Sequence, residues 1–86
     1  MLKSVQHLIN DARSGVSKSR YGNHSFERTG GLWYFRYHGS PVCVVDPTEK
    51  TVRYDYCGYE GSTSTKRTVN SYYEAFNSYR EIPKES

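Results

Sequence analysis

Residues Trp33–Tyr56, WYFRYHGSPVCVVDPTEKTVRYDY, decide the fold. From Leu32 to Tyr37 the side chains alternate. Trp33, Phe35 and Tyr37 point one way and Leu32, Tyr34 and Arg36 the other, the period-two aromatic pattern of a half-buried strand. His38-Gly39-Ser40-Pro41 follows, and Gly39-Ser40 as a two-residue, glycine-first loop suits a type II′ hairpin. That loop pairs Tyr37 with Val42 and Phe35 with Val44, both on one face as cross-strand packing requires. Asp46-Pro47-Thr48-Glu49-Lys50 is the next turn, with proline favoured at its second position. A three-residue loop, Pro47 to Glu49, then pairs Val44 with Val52 and Val42 with Tyr54. A slip of one residue would set Val44 against Arg53 instead.

Toward the N-terminus, His24 to Thr29 reads as a strand with Phe26 inward, and Gly30-Gly31 as a two-residue loop that pairs Phe26 with Phe35. Leu2, Val5, Leu8, Ile9 and Ala12 recur at helical spacing, so Met1 to about Arg13 is an amphipathic helix that Ser14-Gly15 stops. Arg13 to Asn23 is small, polar and basic and reads as an exposed loop. It is either a solvated linker or a phosphate-contacting arm carrying Arg13, Lys18 and Arg20. Toward the C-terminus the last strand covers about Thr51 to Cys57, and Gly58-Tyr59-Glu60-Gly61 ends the sheet. Ser62 to Thr65 supplies N-caps, and Val69, Tyr72, Tyr73, Phe76 and Tyr79 mark a helix of about Thr65 to Arg80. Ser71-x-x-Glu74 offers a later start to that helix.

The predicted architecture is α+β, a single domain over residues 1–86 in the order α-β-β-β-β-α. It is a four-stranded antiparallel meander with both helices on one face. The covered face carries Phe26, Trp33, Phe35, Tyr37, Val42, Val44, Val52, Tyr54 and Tyr56. The other carries Tyr34, Arg36, Cys43, Val45, Arg53 and Asp55, and antiparallel sheets commonly leave one face wet. This register sets Arg53 opposite Cys43, roughly 13 Å along the strand from Cys57, too far for a disulfide.

A chain of 86 residues suits one core, and with 35% hydrophobic but 15% aromatic residues a few large rings must supply the burial. No run of about 18 apolar residues exists, and Met1-Leu2-Lys3 lacks the apolar stretch of a signal peptide. The expectation is a cytoplasmic protein without membrane contact. His7, His24 and His38 have no Cys, Asp or Glu at metal-ligand spacing. The glycines are explained as turns rather than as a phosphate cradle, and no local nucleophile signature is present. The reading is therefore non-enzymatic, without metal or cofactor.

What remains is surface. The inferred register lines up Arg36, Cys43 and Arg53 across the open face with Tyr34 beside them. This is either an ordinary solvated face on which Tyr and Arg shield one another or an aromatic–arginine sheet that can stack bases and hold phosphates. A net charge of +3 and a pI near 8.9 allow nucleic acid without requiring it. Nine tyrosines are too many for the core alone, and exposed Tyr and Arg are equally typical of protein-binding surfaces.

WYFRYHGSPVCVVD, the TVRYDY that follows and STSTKRTVN before the last helix resemble a family of small proteins encoded by tailed bacteriophages. In that family a strand of the form Y-x-Y-x-(S/T)-P-(I/V)-x-x-x-D leads through another strand to a Ser/Thr-rich basic segment. The matching positions are Tyr37, Ser40, Pro41, Val42 and Asp46, then Ser62 to Arg67. The resemblance covers roughly half the chain and brings no activity or site. It implies a phage or mobile-element accessory protein in a bacterial cytoplasm, and such proteins often bind and disable a host or defence component, anti-CRISPR proteins among them.

The expected function is accordingly non-enzymatic binding and inhibition of a host or defence protein or nucleoprotein complex, through Tyr34, Arg36, Arg53, Asp55, Lys66 and Arg67. The alternative is a nucleic-acid-binding module that uses Arg36 and Arg53 with Arg13, Lys18 and Arg20. A small-ligand sponge is the third reading and needs a cavity.

Overall fold

The computed structural model of the protein describes residues 1–59 and 61–83. Its elements are α1 (Lys3–Arg13), β1 (Lys18–Tyr21), β2 (His24–Thr29), β3 (Leu32–Tyr37), β4 (Ser40–Asp46), β5 (Thr51–Tyr54), α2 (Thr63–Ala75) and β6 (Arg80–Glu81). The fold is α+β, but the sheet has six strands in chain order rather than four. β1 to β5 form an antiparallel meander and β6 runs parallel to β5, so the sheet is mixed.

Both additional strands lie where the sequence predicts something else. β1 occupies the expected loop Arg13–Asn23, and β6 lies at the expected end of the last helix. Each is short and exposed and so carries no burial pattern of its own. They become strands because neighbours offer ladder partners: Arg28 N donates to Ser17 O at 2.8 Å, and Ile82 N to Val52 O at 2.8 Å. α2 starts earlier and ends earlier than its apolar periodicity suggests. Ser62 caps it, accepting from Thr65 N at 3.3 Å, so the capping box at Ser71 is not used.

The β2–β3 hairpin has the predicted register, with Phe26 opposite Phe35 and Gly30 and Gly31 both at positive φ. The next two registers differ from expectation. The β3–β4 loop is His38-Gly39, with φ of 51° and 83°, so Tyr37 faces Ser40 and Arg36 faces Pro41. A bulge follows: Phe35 faces Cys43, and Val42 is the extra residue. The β4–β5 loop holds four residues, because Asp46 Oδ1 accepts from Thr48 N and Glu49 N while Lys50 adopts φ 56°. Val44 therefore faces Arg53, the slip the sequence argument rejected, and Val45 faces Val52.

These two shifts exchange the faces of β4. Cys43 and Val45 are buried with Val42, and Val44 is only half-buried on the other side. Neither Cys43 nor Cys57 is in a disulfide. β5 ends at Tyr54. Asp55 N still donates to Val42 O of β4 at 2.9 Å, while its carboxylate accepts from Cys57 N at 2.7 Å and turns the chain away.

One apolar cluster joins both helices to one face of the sheet: Val5, Leu8, Ile9 and Ala12 of α1, Val69 and Tyr72 of α2 with Phe76 just beyond it, and the inward residues of β2 to β5. Phe35 is its centre. Its ring lies 5.2 Å from Phe26, 4.9 Å from Tyr72 and 6.0 Å from Phe76, with Trp33 edge-on at 6.5 Å. α1 lies over β1 and β2, and α2 reaches β4. Arg28, on the same face, donates to Ala12 O at 2.8 Å and Gly15 O at 3.0 Å, satisfying carbonyls at the end of α1.

Candidate functional site

With both helices on one side, the opposite face of the sheet is left uncovered by them. The registers place Lys18, Glu27, Tyr34, Val44 and Arg53 in one row across β1 to β5. Arg20, Ser25, Arg36 and Pro41 form a second row beside it. The expected line of Arg36, Cys43 and Arg53 does not exist. Cys43 is in the core, and Arg36 and Arg53 lie in different rows.

Arg36 is held in place. Its Nη1 lies 3.1 Å from Glu27 Oε1, and its guanidinium sits 5.4 Å from the centre of the Tyr34 ring. A carboxylate and an aromatic face thus orient one cation over the middle of the sheet. Lys18, Arg20, Ser25, Glu27, Arg36 and His38 border a concavity of about 710 Å³ on this side. Five cations, Lys18, Arg20, Arg36, Arg53 and Arg80, therefore share a face with the carboxylates of Glu27 and Asp46.

Two groups of residues that the sequence reading kept apart are merged here. Lys18 and Arg20, assigned to a phosphate-contacting arm, join Tyr34, Arg36 and Arg53 because β1 extends the sheet. Arg13 does not follow them. It ends α1 on the helix side, with its guanidinium 5.9 Å from the Phe76 ring centre. Lys66 and Arg67 are exposed on α2, across the sheet from Tyr34. The Asp55 carboxylate is engaged in the turn after β5.

The sequence reading missed Glu27 as the anchor of Arg36, and missed β1 altogether. The signal for β1 was Gly22-Asn23, a two-residue hairpin loop between Tyr21 and His24.

At the turn end of the sheet, His24 stacks on Tyr37 at 4.8 Å, and Tyr37 also meets His38 at 4.3 Å. Burial, and then the charge of His38, lower the His24 pKa below its ordinary 6.5. Among the described residues no three metal-ligating side chains converge, and no helix is long and apolar enough to cross a membrane. Comparison with known protein families, curated proteins and solved structures finds no match to this chain.

Proposed function

We propose that this chain is a non-enzymatic binding protein that engages a partner protein through the open face of its sheet. In this reading it is a phage or mobile-element accessory protein that inhibits a host or anti-phage defence component in the bacterial cytoplasm. One observation carries the choice of surface: Arg36 is oriented by Tyr34 and Glu27 at the middle of a sheet face that neither helix covers. Tyr and Arg are the residue types that dominate binding energy in protein interfaces, and an oriented side chain loses less freedom on binding.

The test is the Arg36→Ala/Arg53→Ala variant in affinity capture from bacterial lysate treated with nuclease. Wild type should retain a specific protein that the variant loses. The variant should stay folded, because exposed ion pairs contribute about 0–1 kcal/mol. Capture unchanged by the double substitution would move the binding surface elsewhere.

A second reading, nucleic-acid binding by the same face, is favoured by the arrival of Lys18 and Arg20 beside Arg36. Labelled single- and double-stranded oligonucleotides titrated at two salt concentrations test it. Each phosphate contact releases counterions, so affinity must fall steeply with salt. Absence of binding at low salt removes this reading.

A further inference from the structure

β1 stands first in the sheet order and, among the described residues, pairs only with β2. The Gly22-Asn23 loop closes on Tyr21 and His24, which stand opposite one another, and Arg28 N donates to Ser17 O. In an antiparallel ladder, residues alternate between exchanging hydrogen bonds with the partner strand and turning them away. Ser17, Ser19 and Tyr21 therefore bond inward, and the N–H and C=O groups of Lys18 and Arg20 point outward, away from β2. The same alternation turns the Lys18 and Arg20 side chains to the open face, where they border the concavity next to Arg36.

This edge thus offers backbone donors and acceptors at strand spacing, with a cation beside each outward pair. Charge decides what can add to it. A second copy paired antiparallel about Ser19 would set Lys18 against Arg20 twice, and like charges directly opposite are destabilising. A strand with carboxylates at alternate positions meets the opposite situation. On the other side of the edge Tyr21 is 47% exposed and lies 4.8 Å from the His7 ring, a surface suited to the intervening apolar side chains.

We propose that β1 is a docking edge for an extended acidic segment of a partner protein. The segment adds to the six-stranded sheet with Asp or Glu at alternate positions facing Lys18 and Arg20. This rests on the protein-partner reading and specifies how that partner is held.

The test is a titration of the isotope-labelled protein with a blocked peptide of alternating valine and glutamate, up to millimolar concentration, followed by amide hydrogen exchange. The Lys18 and Arg20 amides gain protection. N-methylation of the alternate peptide amides that face β1 abolishes this, and methylation of the other set leaves it intact. Arg20→Glu, which stands opposite Ser25 and so adds no like-charge pair within the sheet, weakens binding about tenfold. A lysine-for-glutamate peptide binds that variant better than it binds wild type. Unchanged exchange at Lys18 and Arg20, or equal binding of both methylated peptides, overturns the proposal. Protection of these amides on concentrating the protein alone also overturns it and assigns the edge to a second copy. The Arg36→Ala/Arg53→Ala variant should still bind the peptide, so failure at the edge and failure at the face are told apart.

Discussion

Val44 stands opposite Arg53 across β4 and β5, and that pairing turns β4 so that Cys43 and Val45 enter the core. The bulge at Val42 lets two consecutive residues, Val42 and Cys43, both lie inward against Phe35 and the helices. The open face receives Val44 in their place, between Tyr34 and Arg53. The exchange gives the uncovered side an apolar strip within its charges and places a thiol in the core.

Val45→Ala should cost about 2 kcal/mol, since Val45 is fully buried, whereas Val44→Ala should cost less than about 1 kcal/mol. Urea denaturation of both variants measures the difference. Equal losses, or a larger loss at Val44, would refute the register.

Tyr72 is fully buried with its ring against Phe35, yet its hydroxyl finds no hydrogen-bond partner among the described residues. An unpaired buried polar group costs about 1–3 kcal/mol, so Tyr72→Phe should raise stability by about 1 kcal/mol. A drop in the unfolding midpoint would mean that the hydroxyl is satisfied. Burial also raises the pKa of the Tyr54 and Tyr72 hydroxyls and of the Cys43 thiol. The folded chain holds these protons more tightly than the unfolded chain, so stability should be lost as pH rises above about 9 for Cys43 and above about 10 for the two tyrosines.

His24 titrates in the opposite sense. Its folded pKa is lowered below 6.5, so the unfolded chain takes up the proton first. Its contribution is full above 6.5 and is lost as pH falls from there toward the lowered folded value. His24→Phe keeps a ring beside Tyr37 and removes the titration. Denaturation midpoints between neutral pH and pH 5 should fall for wild type and flatten for the variant, and parallel curves would assign the acid sensitivity to another group.

Arg28 joins β2 to the end of α1 through two hydrogen bonds to carbonyls. Arg28→Ala should cost about 1.5–3 kcal/mol, the range for hydrogen bonds to a charged group. Arg28→Lys should recover little of it, because a lysine ammonium lacks the planar fork that reaches both oxygens. Full recovery in thermal unfolding would show that charge alone matters there.

Some of this molecule is written locally in its residues. α1 buries Val5, Leu8, Ile9 and Ala12 because an apolar residue every three or four positions makes a helical stripe whatever it later meets. Phe26 meets Phe35 because Gly30 and Gly31 enter positive φ easily and close the hairpin in one register. The rest is decided between segments. Val42-Cys43-Val44-Val45 is apolar in either phase, so its pattern cannot choose a face. The choice falls to a bulge beside Pro41, which has no N–H for the ladder, and to Lys50 in a left-handed turn. β1 and β6 carry no apolar alternation; β1 is a strand because the Gly22-Asn23 turn folds it back onto β2, and β6 because β5 presents unpaired backbone groups to it. For the same reason the cations of the open face were visible one by one in the sequence, while their gathering around Tyr34 was not. Lys18 and Arg20 come to Arg36 and Arg53 through the Gly22-Asn23 hairpin, a backbone turn that the apolar pattern of the side chains does not encode.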